Sequence, residues 1–197
     1  MDNSLIFQKY YELINKPSDI NEHLETLKKY TDECDVVIEM GVRWIVSTWA
    51  FLAGNPKKLI SLDLYNPGKF GGNLQEVYDA ASLAGIDFVF LEQNSLTYTI
   101  DSCDLLFLDT WHDFLQLKKE LTRHHSKVKK YIIFHDTVSF ANVNEKSAEM
   151  MGLTNHDDTN LPEGLWPAIE EFLLHNREWI LWEKKPNNNG LTVLKRK

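Results

Sequence analysis

The chain is expected to fold as a doubly wound α/β domain on a mostly parallel sheet of seven strands, the last one antiparallel. Three observations predict this. Five short apolar runs alternate with helical stretches between residues 35 and 136, the pattern of βαβ units in a sheet buried on both faces. Four of those five runs end in an acidic residue. A final pair of β-prone runs flanks Asn189-Gly190, a hairpin signal because both residues tolerate positive φ.

In chain order, residues 1–33 read as a helical extension. Leu5, Ile6, Tyr10, Leu13 and Ile14 recur at helical spacing, Pro17 interrupts, and Ser18 or Asp19 caps a second helix through Tyr30. Asp35-VVIEM-Gly41 is a buried strand leading into a turn, followed by a helix from Ser47 to Ala53 that Gly54 and Asn55 close. Lys58 to Asp63 is the second strand, and residues 73–84 form a helix stopped by Gly85. Strands follow from Asp87, from Asp104 and from Tyr131, with a helix from about Asp113 to His125 between the last two. Thr137 to Glu163 is long, polar and irregular, and is read as a lid over the site. A helix at about 165–175 precedes Trp179-ILWEKK and Leu191-TVLKR. Residues 1–197 are thus taken as one domain.

Composition narrows the function classes. Hydrophobic residues make up 43% and charged residues 25%, the balance of a globular protein. A formal charge of −8 counts against a general nucleic-acid binder, which needs a clustered basic surface. No apolar run approaches the roughly 20 residues of a membrane span, and the N-terminus lacks the features of a secretory signal. A cytoplasmic location is the expectation. Cys34 and Cys103 form neither a metal motif nor a disulfide framework and read as core residues.

Ligands of open parallel sheets bind outside the carboxyl ends of the strands, where strand order reverses. That edge collects Glu39 and Gly41, Asp63, Asn94 and Ser95, Asp109, and His135 with Asp136. So many acids on one edge repel one another unless a cation or hydrogen-bond donors sit among them. Asp63 is suited to the hydroxyls of a ribose, Gly41 to close backbone approach, and Asn94-Ser95 to an adenine ring. Asp109 and Asp136 end neighbouring strands and can converge on Mg²⁺, with His135 joining if the ion is softer, such as Mn²⁺ or Fe²⁺. His112, three residues past Asp109, is a candidate general base. His124 and His125 read as helix-end residues, and His156, Asp157 and Asp158 as solvated loop. None of this separates adenosylmethionine from NAD as the ligand.

The stretches VVIEMGVRWIVSTWAFL, LISLDL, DLLFLDTWHDFLQLKKEL, YIIFHDT and NNNGLTVL together resemble the class I S-adenosylmethionine-dependent methyltransferases. More narrowly they are similar to the metal-assisted O-methyltransferases of the macrocin and cephalosporin-hydroxylase-like group. The resemblance covers roughly residues 18–197 and implies a Rossmann-like fold with S-adenosylmethionine as cofactor. It assigns Glu39 and Gly41 to the methionine side of the cofactor, Asp63 to its ribose and Asn94-Ser95 to its adenine. Asp109, His135 and Asp136 fall on the metal positions, and His112 where catechol-type relatives place the base. The acceptor implied is a small hydroxylated, sugar-like molecule. In one departure, Ile45 stands where the family has a second glycine, so the turn must differ or the side chain must crowd the cofactor. Two other readings follow: a non-catalytic methyltransferase-like module, motivated by Ile45, and an NAD-dependent oxidoreductase, which the antiparallel ending and the lack of a full G-x-G-x-x-G disfavour. Residues 1–30 are expected to pack either on their own subunit or on a neighbour in a homo-oligomer.

Overall fold

The apolar runs pair into a single sheet, seen in a computed structural model that describes residues 1–146 and 161–197. Its strands are β1 (Val36–Met40), β2 (Lys58–Asp63), β3 (Asp87–Glu92), β4 (Cys103–Leu108), β5 (Val128–His135), β6 (Trp179–Lys185) and β7 (Leu191–Arg196). They lie in the order β3-β2-β1-β4-β5-β7-β6. The first five are mutually parallel, while β7 runs antiparallel between β5 and β6. Strand order reverses between β1 and β4, which makes their carboxyl ends the expected ligand crevice.

Successive side chains of a strand face opposite ways, and here each face is covered. Val37, Phe107 and Ile133 join one core with α1 (Ser4–Ile14), α2 (Leu24–Thr31), α3 (Val46–Ala53) and α4 (Leu74–Ala84). Ile38, Leu106 and Phe134 join the other with α5 (Phe114–His124) and α6 (Leu165–His175). The N-terminal helices are part of the first layer: Ile6, Tyr10, Leu24 and Leu27 are buried beside α3. Burying each such side chain stabilises the fold by roughly 2 kcal/mol before entropy is counted.

Local sequence explains most boundaries. Ser18 Oγ accepts from the backbone of Ile20 and Asn21, starting the short turn that leads into α2. Asn73 caps α4 and Asp113 caps α5, each accepting from the first helical turn. The Asn189-Gly190 turn is longer than a two-residue hairpin, with Asn188, Asn189 and Gly190 all at positive φ. The fifth strand starts at Val128, so the basic residues around it open a strand. Cys34 and Cys103 are buried free thiols. Among the described residues no helix is long and apolar enough to cross a membrane.

Candidate functional site

A cavity of about 480 Å³ opens at the carboxyl ends of β1, β2 and β4, within the size range of small-molecule sites. Asp63, Asn94, Asp109, His112, Asp136 and Glu145 all line it. Asp63 Oδ2 accepts from the backbone N–H groups of Val42 and Arg43 at 2.8 and 3.0 Å, and Oδ1 from Tyr65 at 3.1 Å. Its carboxylate is thereby oriented at the cavity wall and keeps lone pairs for a ligand hydroxyl.

Gly41 lines the cavity as expected, whereas Glu39 does not. Glu39 is fully buried behind the wall, its oxygens taken by the hydroxyls of Ser47, Thr48 and Ser61 at 2.5 to 2.8 Å. Burial pushes its carboxyl up to about 7 against the pull of those hydroxyls. It ties β1 and β2 to the first turn of α3 and does not line the cavity. Gly41, at φ +91°, is required by its neighbour strand: a Cβ there would lie 1.9 Å from the carbonyl oxygen of Asp109. The glycine sets how closely Asp109 approaches β1.

The missing second glycine is met by strain. Arg43 and Ile45 adopt φ of 42° and 65°, a left-handed geometry costing roughly 1–2 kcal/mol per residue. The Ile45 side chain turns into the core against Gly72 and does not line the cavity. The turn differs and Ile45 stays out of the cavity, so this side chain gives no motive for a module without a cofactor site.

In the loop after β3, Asn94 accepts from Leu96 N, and Ser95 turns inward. There it meets a residue that sequence reasoning missed. Glu120 of α5 is fully buried and receives Ser95 Oγ, Thr110 Oγ1 and Gln116 Nε2 at 2.5 to 2.8 Å. Burial again raises its pKa. Gln116 and Glu120 are four apart on the apolar face of α5, beside Leu117 and Leu121, and polar residues on a buried stripe were the available signal. His124 is the last residue of α5, as expected, but it is also buried, its Nε2 2.8 Å from the Ser95 carbonyl.

The remaining acids meet two imidazoles. His112 Nε2 lies 2.9 Å from Asp136 Oδ2 and 3.4 Å from Asp109 Oδ1, and its Nδ1 lies 2.8 Å from Glu145 Oε2. His135 Nδ1 approaches Asp109 and Asp136 at 3.4 and 3.2 Å from the other side. Burial alone would lower both histidines and raise both aspartates. The mutual charges outweigh it: His135 is raised to about 10, His112 is raised well above its usual value, and Asp109 and Asp136 stay below the ordinary carboxylate range. Asp109, His112 and Asp136 each offer a ligand atom within 4.8 Å of the others, a donor set that fits a divalent cation. His135, expected in that set, is 1% exposed and does not line the cavity. As a β5 residue beside buried His23 it faces the helical layer, 3.2 Å from the Asn188 carbonyl. Glu145 carries no sequence signal; it reaches the site from the loop after β5, whose Asn144 accepts from Phe114 N. That described part of the expected lid, through residue 146, is bonded into the wall. His156, Asp157, Asp158 and the rest of 147–160 lie outside the described residues.

No protein-family model matches the chain, and no curated protein matches it. Solved structures do. An O-methyltransferase from Bacillus cereus in complex with SAH is similar at TM-score 0.59 and 13% identity, covering 100% of this chain and 92% of that one. A methyltransferase of Podospora anserina with bound SAH gives 0.57 and 13%, covering 98% and 88%. The magnesium protoporphyrin IX methyltransferase of Synechocystis, with bound SAH, gives 0.57 and 13%, covering 99% and 95%. At these identities the likeness concerns architecture, and the architecture is the class I methyltransferase fold.

Proposed function

We propose that the protein is an S-adenosylmethionine-dependent O-methyltransferase acting, with a divalent cation, on a small hydroxylated, sugar-like acceptor in the cytoplasm. The observation that carries the reading is one cavity lined by both Asp63 and the Asp109–His112–Asp136 trio. Bound SAH in several proteins of the same fold supports the donor.

Adenosylmethionine supplies an electrophilic methyl group, and a divalent cation supplies a Lewis acid that lowers the pKa of an acceptor hydroxyl. Asp63, held by three backbone N–H groups, accepts from the ribose hydroxyls and fixes the donor along the wall. Asp109 and Asp136, kept ionised, hold the cation at the other end, so that donor and acceptor meet in one orientation; such positioning is where proximity acts most strongly. His112 is poorly placed to take the acceptor's proton, since both ring nitrogens already face carboxylates. The proton leaves to solvent.

Titration calorimetry with adenosylmethionine and with SAH, its demethylated product, tests this reading. Micromolar binding is expected, weakened roughly 10- to 100-fold in Asp63→Ala by loss of hydrogen bonds to a charged acceptor. No heat from folded wild-type protein contradicts the proposal.

A further inference from the structure

We infer that His112 is a ligand of the cation rather than a proton acceptor, and that Glu145 fixes its ring so that the site takes a first-row transition-metal ion in preference to Mg²⁺. The inference rests on the cation site of the proposed function and names the class of ion.

Neighbouring ligand atoms around an octahedral ion with bonds of about 2.1 Å lie about 3 Å apart. His112 Nε2 stands 2.9 Å from Asp136 Oδ2 and 3.4 Å from Asp109 Oδ1, close to two edges of such an octahedron. The ring has little freedom to leave. It stacks on Phe140 with centroids 4.6 Å apart and planes 9° apart, and the Glu145 backbone N–H donates to the His112 carbonyl at 2.8 Å.

Glu145 then selects the tautomer. Its Oε2 lies 2.8 Å from Nδ1, so an Nδ1–H donates to Glu145, and Nε2, which faces the two aspartates, is the nitrogen that would be left to a cation displacing its proton. A carboxylate behind a ligating imidazole is the arrangement that orients metal-bound histidine. His135 Nδ1 also approaches the two aspartates, at 3.4 and 3.2 Å, but that residue is buried and does not line the cavity, whereas His112 does. One nitrogen and two carboxylate oxygens make a borderline donor set. Mg²⁺ prefers all-oxygen ligands, whereas imidazole suits the transition metals.

The test is Mn²⁺ titration of the full chain followed by electron paramagnetic resonance, with Mg²⁺ as competitor. The wild type is expected to bind Mn²⁺ with nitrogen hyperfine coupling and to resist an equal concentration of Mg²⁺. His112→Asn should lose the coupling, and His135→Asn should keep it. Glu145→Ala should weaken Mn²⁺ binding by about 10- to 100-fold, with Glu145→Gln, which still accepts from Nδ1–H, recovering most of it. Nitrogen coupling that survives in His112→Asn overturns the inference, as does Mg²⁺ competing on equal terms or a wild type that binds no Mn²⁺. SAH calorimetry on the same samples separates the two readings: Mn²⁺ behaviour as expected without SAH binding sinks the methyltransferase proposal alone.

Discussion

Two kinds of carboxylate stand beside the cavity at the edge of one sheet. Glu39 and Glu120 are wrapped in neutral donors, and burial raises both pKa values. Asp136, buried, and Asp109, half-buried, line the cavity and face the imidazoles of His112 and His135, and both are lowered. The neighbours therefore decide the charge. Hydroxyls satisfy a carboxyl group without balancing an ion, so the first pair can hold protons and serve as struts. Imidazoles, or a cation in their place, keep the second pair ionised and able to bind. An acid at a strand end is a frame member or a working group according to what packs against it.

The contrast can be broken at its strongest point by Asp109→Asn, which should abolish cation binding while leaving SAH affinity unchanged, as calorimetry would show. Loss of both would make Asp109 a strut like Glu39. A smaller effect belongs to the struts. The folded Glu39 carboxyl titrates at about 7 against an ordinary 4.5, so the native state holds the extra proton. The stability from this proton is fully present below about pH 4.5 and is lost as pH rises to about 7, a change on the order of 3 kcal/mol. Denaturant unfolding of Glu39→Gln across that window should lack this slope; an identical slope would remove Glu39 as its source. The least effect concerns the strained turn. Arg43→Gly should relieve a left-handed residue while giving up the stack on Trp44, for a net gain of about 0.5 kcal/mol visible as a rise in Tm.

The fold was readable because it depends on periodicity. The strands from Asp35, Lys58, Asp87 and Asp104 begin within a residue of expectation, and Asn189-Gly190 announced the antiparallel return, since each signal is local. Asp63, Asp109 and Asp136 reach the cavity for the same reason, as strand ends on one edge. The direction in which side chains point was harder to read. Glu39 and His135 were expected in the crevice, yet strand alternation turns both toward the helical layer, where hydroxyls or His23 meet them. Glu145 comes to His112 across 33 residues of sequence through loop geometry that no period encodes. Ile45 broke a family pattern without closing the cavity, because a left-handed backbone took the place of glycine.

The central claim is that the Asp63 wall and the Asp109–His112–Asp136 trio serve one bound assembly. A crystal structure with SAH and Mn²⁺, read for anomalous scattering, decides it. The prediction is a ribose on Asp63, the sulfur of SAH facing across the cavity, and an ion between Asp109, Asp136 and His112. SAH seated elsewhere, or a trio without an ion while Mn²⁺ binds at another place, would contradict it.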